Sequence, residues 1–138
     1  MTRAADMTLY LSFYHPRRRA AEITAALRMD PERCWDRGAA RNIHYGRALA
    51  GRESETYWST TLPDLDDFIG LAKAIAAQLD RLDSQKDFIR SFADTGGRVE
   101  LEIFWRLNSA VHTDLPFNLI NRLVEFGMGI SLHPMTTP

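Results

Sequence analysis

The chain has 138 residues, 45% of them apolar and 25% charged, with a formal net charge of −1. That is the size of one domain, and it is long enough to bury a core without metal or disulfide staples. No apolar run approaches the roughly 18 residues a membrane helix needs, so no membrane-spanning helix is expected.

The opening "MTRAADMTLYLSFYHPRRR" reads as a first strand. A basic cluster stands where a signal peptide would carry a small-residue cleavage site. The single cysteine cannot form an internal disulfide, so a reducing cytoplasm is the expected location. Charge is uneven along the chain. Residues 1–52 hold ten arginines, no lysine and five acids; residues 53–138 hold seven basic and thirteen acidic residues. The two halves are expected to pair across one surface rather than to mark a nucleic-acid site. The ratio of 15 Arg to 2 Lys fits GC-rich coding better than phosphate binding.

In chain order, "MTLYLSFY" (7–14) alternates with period two, which predicts a half-buried strand with Leu9, Leu11 and Phe13 inward and Thr8, Tyr10, Ser12 and Tyr14 outward. "HPRRRAAEITAALRM" predicts a helix. Pro16 suits its first turn, Ala20, Ile23 and Leu27 form its stripe, and Asp30-Pro31 ends it. Residues 30–53 show no sustained period and read as a long connection, of a kind that is functional or mobile in compact domains. "ETYWSTTL" (55–62) is the second strand.

"PDLDDFIGLAKAIAAQLDRL" predicts a helix with Leu65, Phe68, Ala72, Ile75, Leu79 and Leu82 along one face. Asp64, Asp66 and Asp67 stand at its start, where the helix dipole favours negative charge. "SQKDFIRSFADTGG" predicts a shorter helix, opened by Ser84 and Asp87, anchored by Phe88 and Phe92, and closed by Gly96-Gly97. "RVELEIFWRL" is the strongest strand, with Val99, Leu101, Ile103 and Trp105 on one side and Arg98, Glu100, Glu102 and Phe104 on the other. Asp114 and Pro116 open a last helix whose apolar face is Leu119, Ile120, Leu123 and Val124, and which ends at Gly127. "MGISLHPM" closes the chain as a strand with Met128, Ile130 and Leu132 inward.

Strand, loop, helix and strand recur from about 7 to 62 and from about 98 to 134. The expected fold is therefore α+β: a four- to five-stranded mixed or antiparallel sheet with helices packed on one face, including a doubled βαβ-like unit. The clean alternation of the terminal strands implies one sheet face free of helices, because strands covered on both sides read as continuous apolar runs.

Chemical motifs are sparse. Cys34 has Arg33 and Arg37 nearby, which would lower a thiol pKa. None of His15, His44, His112 or His133 completes a cysteine-enzyme motif, however, and a buried structural sulfur is the favoured reading. Trp35, a large aromatic in a polar segment, is expected to pin that segment to the core. No cofactor or metal is expected, since the Cys pairs, His pairs, P-loop and GxGxxG patterns are all missing. The acids at 64–67 are explained by the helix start. Glu100 and Glu102, beside Arg98 and Arg106, read as solvated cross-strand partners. The strand "GRVELEIFWRL" lacks an RNA-recognition pattern, and Arg17–Arg19 would support only salt-sensitive binding.

What remains is the sheet face away from the helices. Tyr10, Tyr14 and Phe104, with Tyr57 and His133, interleave aromatics with Glu and Arg there, the composition of a contact surface. The alternative is that the loop at 36–53 covers them.

The segments "LRMDPERCWDRG", "ETYWSTTL" and "RVELEIFW … LINRLVEFGMGISLHPM", with Pro31, Gly38 and Trp58 as landmarks, resemble a family of small bacterial domains of unknown function, DUF4279, over most of the chain. Loop 39–53 departs from that pattern in its length and arginine content. The resemblance implies a small α+β domain and brings no catalytic residue with it. Fold-level analogy to toxin-neutralising immunity proteins implies action by binding.

Two functions therefore stand as expectations. The first is a non-enzymatic module that binds a protein partner or itself, through Tyr10, Tyr14 and Phe104 on the sheet and Trp35, Arg37, Arg41, Tyr45 and Arg47 on the loop. The second is a small-ligand-binding protein or enzyme with a pocket under loop 36–53, using His44, Cys34 or Asp64, Asp66 and Asp67.

Overall fold

The computed structural model describes residues 7–40, 43–44, 47–48, 51–62, 70–106 and 114–135. Along these residues the elements are β1 (Met7–His15), α1 (Ala20–Leu27), β2 (Arg33–Trp35), the short pair β3 (Ile43–His44) and β4 (Arg47–Ala48), and β5 (Thr56–Thr61). They continue with α2 (Leu71–Arg81), a 3₁₀ turn (Asp83–Gln85), α3 (Lys86–Asp94), β6 (Arg98–Arg106), α4 (Phe117–Phe126) and β7 (Met128–Met135).

Five strands form one mixed sheet in the order β2-β5-β1-β6-β7. The pairings β2–β5, β5–β1 and β1–β6 are antiparallel, and β6–β7 is parallel. The fold is α+β. The doubling anticipated over 7–62 and 98–134 needs correction in its first half, because the expected second strand, β5, runs antiparallel to β1; the repeated units are instead β1-α1-β2 and β6-α4-β7. In each, a helix links two strands of like direction, and β5 is inserted between the members of the first pair.

Register explains how the apolar residues gather. Phe13 lies opposite both Trp58 and Val99, and Leu11 opposite Leu101, which in turn faces Ile130 on β7. Strand alternation therefore sends one set of side chains to a single layer. Phe13, Trp58, Leu101 and Ile103 are buried there with Ile23 of α1, Ile75 and Leu79 of α2, Ile89 and Phe92 of α3, and Leu119, Leu123 and Phe126 of α4. Each fully buried Leu, Ile or Phe side chain contributes about 1.5–3 kcal/mol relative to exposure. Phe13 sits edge-on to both Trp58 and Phe92, at 5.5 and 5.0 Å. Buried Trp58 meets its polar demand by donating Nε1–H to Thr24 Oγ1 at 2.9 Å.

Several local expectations need correction. The first helix begins at Ala20, four residues after Pro16, because residues 16–19 form a turn organised by His15. The buried His15 Nδ1 accepts the backbone N–H groups of Arg17 and Arg18 at 3.0 and 2.9 Å. The free N–H of Ala20 goes to Asp36 Oδ1, 2.8 Å away across the fold. Arg18 is held over the rings of Phe88 and Phe92 and donates to Ser91 at 2.7 Å, so the Arg17–Arg19 run is built into the fold around it.

Helix α1 also stops earlier than Asp30-Pro31. Arg28 adopts a left-handed φ of 55° and returns its N–H to Thr24 O. The segment 30–53 is more than a connection. Its start is the edge strand β2, and β3–β4 with an Ala40↔Arg52 bridge extend it as a hairpin. These pieces are two or three residues long, too short for a period to show. In α4 the buried face is Leu119, Leu123 and Phe126, whereas Ile120 and Val124 are exposed. Leu132, expected inward, is 55% exposed because its strand is the sheet edge. No described helix is long and apolar enough to cross a membrane.

Candidate functional site

The side chains that alternate away from the helices meet on the outer sheet face. Across β2, β5, β1 and β6 the register aligns Trp35, Tyr57, Tyr14 and Arg98 in one row and Arg33, Ser59, Ser12 and Glu100 in the next. A third row holds Thr61, Tyr10, Glu102 and Ser131, and a fourth pairs Thr8, Phe104 and His133.

The first row is a continuous aromatic track. Trp35 lies 4.6 Å from Tyr57, Tyr57 lies 5.1 Å from Tyr14, and the Arg98 guanidinium sits 3.9 Å over the Tyr14 ring. Trp35 also donates Nε1–H to Glu55 O at 3.2 Å. It pins its segment as anticipated, but onto the outer face rather than into the core. Arg98 is further tied to Glu55 at 3.8 Å and Glu100 at 3.5 Å.

Glu102 sits at the centre. Its side chain is only 15% exposed. Oε2 accepts the Ser12 hydroxyl at 3.0 Å, Oε1 accepts a longer 3.5 Å bond from Tyr14, and Ser12 Oγ also pairs with Ser59 Oγ at 3.1 Å. Burial first, and then Glu102 itself, push the Tyr14 hydroxyl well above the ordinary tyrosine range, so Tyr14 keeps its proton and serves as a donor. Glu100 accepts from Ser131 at 3.0 Å. The reading of both glutamates as solvated partners holds in part for Glu100, which does pair with Arg98. It fails for Glu102, whose carboxylate is set among hydroxyls and rings. His133 stacks on Phe104 with centroids 4.4 Å apart, and Tyr10 meets Phe104 edge-on at 5.3 Å. The His133 Nε2 atom is buried 3.9 Å from Glu102 Oε1, within ion-pair reach but too far for a hydrogen bond, and it has no hydrogen-bond partner among the described residues.

Beside this centre the face dips into a cavity of about 240 Å³, lined by Tyr10, Glu32, Arg33, Tyr57, Ser59, Glu102 and Phe104. It opens on the outer face next to the edge strand β2.

Of the residues singled out from sequence, Tyr10, Tyr14, Trp35 and Phe104 share this face, together with Tyr57 and His133. Arg37 is exposed at the turn after β2, its backbone N–H bonded to Thr56 Oγ1 at 2.9 Å. Arg47 lies on β4, opposite His44. Arg41, Tyr45, His112 and the acids Asp64, Asp66 and Asp67 lie outside the described residues. Cys34 is exposed rather than buried. It lies opposite Trp58 in the register, and β2 is the edge strand of the sheet among the described residues, which leaves the sulfur uncovered by a further strand there. Among the described residues no group of three His, Cys, Asp or Glu side chains could hold a metal ion.

Sequence reasoning placed Ser12 outward and Arg33 beside Cys34 but named none of Ser12, Ser59, Ser131, Glu32 and Arg33 as a site residue. The signal lay in parity, because Ser12 and Ser59 alternate in phase with Tyr10 and Tyr57. Their meeting depends on a register that separate strands do not announce.

No curated protein and no solved structure matches this chain. One family model does, "Domain of unknown function (DUF4279)", over residues 5–136. The match spans nearly the whole chain, and the protein belongs to that family.

Proposed function

We propose that the outer sheet face is a recognition surface and that the protein works by binding another protein, either a distinct partner or a second copy of itself. The observation that carries this reading is the aromatic track Trp35–Tyr57–Tyr14 with Arg98 stacked at its end, set beside Tyr10, Phe104 and His133. Tyr, Trp and Arg are the residues that dominate the energetics of protein interfaces. Here they are held in place by ring contacts and by hydrogen bonds to Glu55 and Glu102, so little ordering entropy is lost on docking. Neutralisation of a toxin is the form of binding this reading favours, with the cytoplasm, where a lone thiol such as Cys34 stays reduced, as its setting.

The cavity beside Glu102 supports a second reading, a small-ligand-binding protein. The first reading is tested by Phe104→Glu, which places a charge on the outer face without touching the helical core. Capture of the cognate partner, or self-association measured by sedimentation, should be lost while circular dichroism is unchanged. A Phe104→Glu protein that captures and assembles like the parent would remove the surface assignment.

A further inference from the structure

The charges on the outer face do not balance locally. Arg98 is committed to Glu55 and Glu100. That leaves Glu102 and Glu32 against Arg33 around the cavity, and neither Glu32 nor Arg33 makes an ion pair with a described residue. Glu102 is largely withdrawn from water and receives hydroxyl hydrogen bonds. Among the described residues, the one group within ion-pair reach of Glu102 is the imidazole of His133, at 3.9 Å, and its Nε2 makes no hydrogen bond there.

We propose that the cavity receives a basic side chain, arginine or lysine, from the protein partner. This rests on the outer face being the recognition surface and names the chemistry that the face reads. Three observations converge on it. The walls are aromatic: Tyr10 and Phe104 stand edge to face at 5.3 Å, and Tyr57 faces the cavity from β5. Rings beside a carboxylate form the environment that attracts an organic cation, through the ring quadrupole and through direct charge. Among the lining residues, Glu102 is preorganised by Ser12 and Tyr14, so a guanidinium or ammonium meets a fixed acceptor and need not order one. In size, about 240 Å³ is below the roughly 300–1,000 Å³ of sites for drug-sized molecules, and it suits the end of one long side chain. Arginine is the better guest, because a guanidinium is weakly hydrated and stacks on rings. Arg33 at the rim disfavours a run of several basic residues and so selects a single inserted one.

The test titrates the ¹⁵N-labelled full chain with capped single residues: N-acetyl-arginine amide, N-acetyl-lysine amide, the neutral isostere N-acetyl-citrulline amide, and N-acetyl-aspartate amide. The inference expects saturable shifts of the Tyr10, Ser59, Glu102 and Phe104 amides with the two basic probes and none with citrulline or aspartate. Glu102→Gln keeps the size and hydrogen-bonding capacity of the side chain and should weaken the basic probes at least about tenfold. Glu32→Gln, at the rim, should weaken them by a smaller factor. Equal shifts with citrulline, unchanged affinity in Glu102→Gln, or no saturable shift with either basic probe would each overturn it. Binding of free methylguanidine without the capped residues would also overturn it, by assigning the cavity to a small free cation. If the probes fail while Phe104→Glu still abolishes partner capture, the surface stands and only the basic-side-chain assignment falls.

Discussion

Ser12 on β1 and Glu102 on β6 are 90 residues apart in sequence, and the hydroxyl of one donates to the carboxylate of the other at 3.0 Å. Ser12 is fully buried, so the middle of the outer face is roofed by its own tyrosines and glutamates rather than bare to water. Ser12→Ala removes the donor to Glu102 and the partner of Ser59 Oγ together. A hydrogen bond to a charged group contributes about 1.5–3 kcal/mol. Urea unfolding of Ser12→Ala should fall in that range of destabilisation. A change within experimental error would mean that water replaces the hydroxyl at no cost.

His15 sets a pH dependence. Its Nδ1 accepts two backbone N–H groups, so the proton of the neutral ring is on Nε2, which donates to Thr95 Oγ1 at 2.8 Å; Thr95 in turn donates to Ser91 O at 2.6 Å. Burial first, then Arg18 and Arg17, lower the His15 pKa below the ordinary histidine value. The folded state therefore binds fewer protons than the unfolded chain as acidity rises. Stability from this group is full above the unfolded value of about 6.5 and is lost as pH falls from there through the depressed folded pKa. Unfolding free energies measured between about pH 7 and pH 5 should decline. His15→Gln should be less stable at pH 7 and should flatten that slope. An unchanged slope in His15→Gln would assign the decline to other groups.

Gly97 joins α3 to β6 at a point where a side chain has no room. A Cβ there would stand 2.5 Å from Tyr14 O and 2.7 Å from His15 Cδ2, the first of them backbone. Gly97→Ala must therefore push β1 away from the start of β6. Overpacking of this kind costs about 1–3 kcal/mol, and thermal unfolding should show a clear drop in Tm. A Gly97→Ala protein as stable as the parent would show that the β1–β6 register adjusts freely at this end.

The long elements were readable because each carries its own period. Leu11 and Phe13, Val99 and Leu101, and Ile75 and Leu79 identify their buried faces without reference to anything else in the chain. Helix α4 shows the limit. Apolar residues occupy Phe117, Leu119, Ile120, Leu123, Val124 and Phe126, so two overlapping stripes compete, and only packing against α2, α3 and β7 selects Leu119, Leu123 and Phe126. Strand β2 was hidden because three residues cannot display alternation, and the exposure of Cys34 followed from that omission. The candidate site lay between these extremes. The outward parity of Tyr10, Tyr14 and Phe104 was plain, whereas the role of Glu102 depends on Ser12, Tyr14 and His133 arriving from two other strands.

The central pairing of β1 with β6 also bears on how the chain reaches this state. The second strand of the sheet's middle is synthesised long after the first, and β1 has only β5 as a neighbour until β6 emerges. Closing so large a loop makes the topology slow relative to folds with local contacts. Until β6 pairs, the rings of Tyr10 and Tyr14 lack Phe104 and Glu102, so the proposed docking face exists only once this long-range strand pairing has formed.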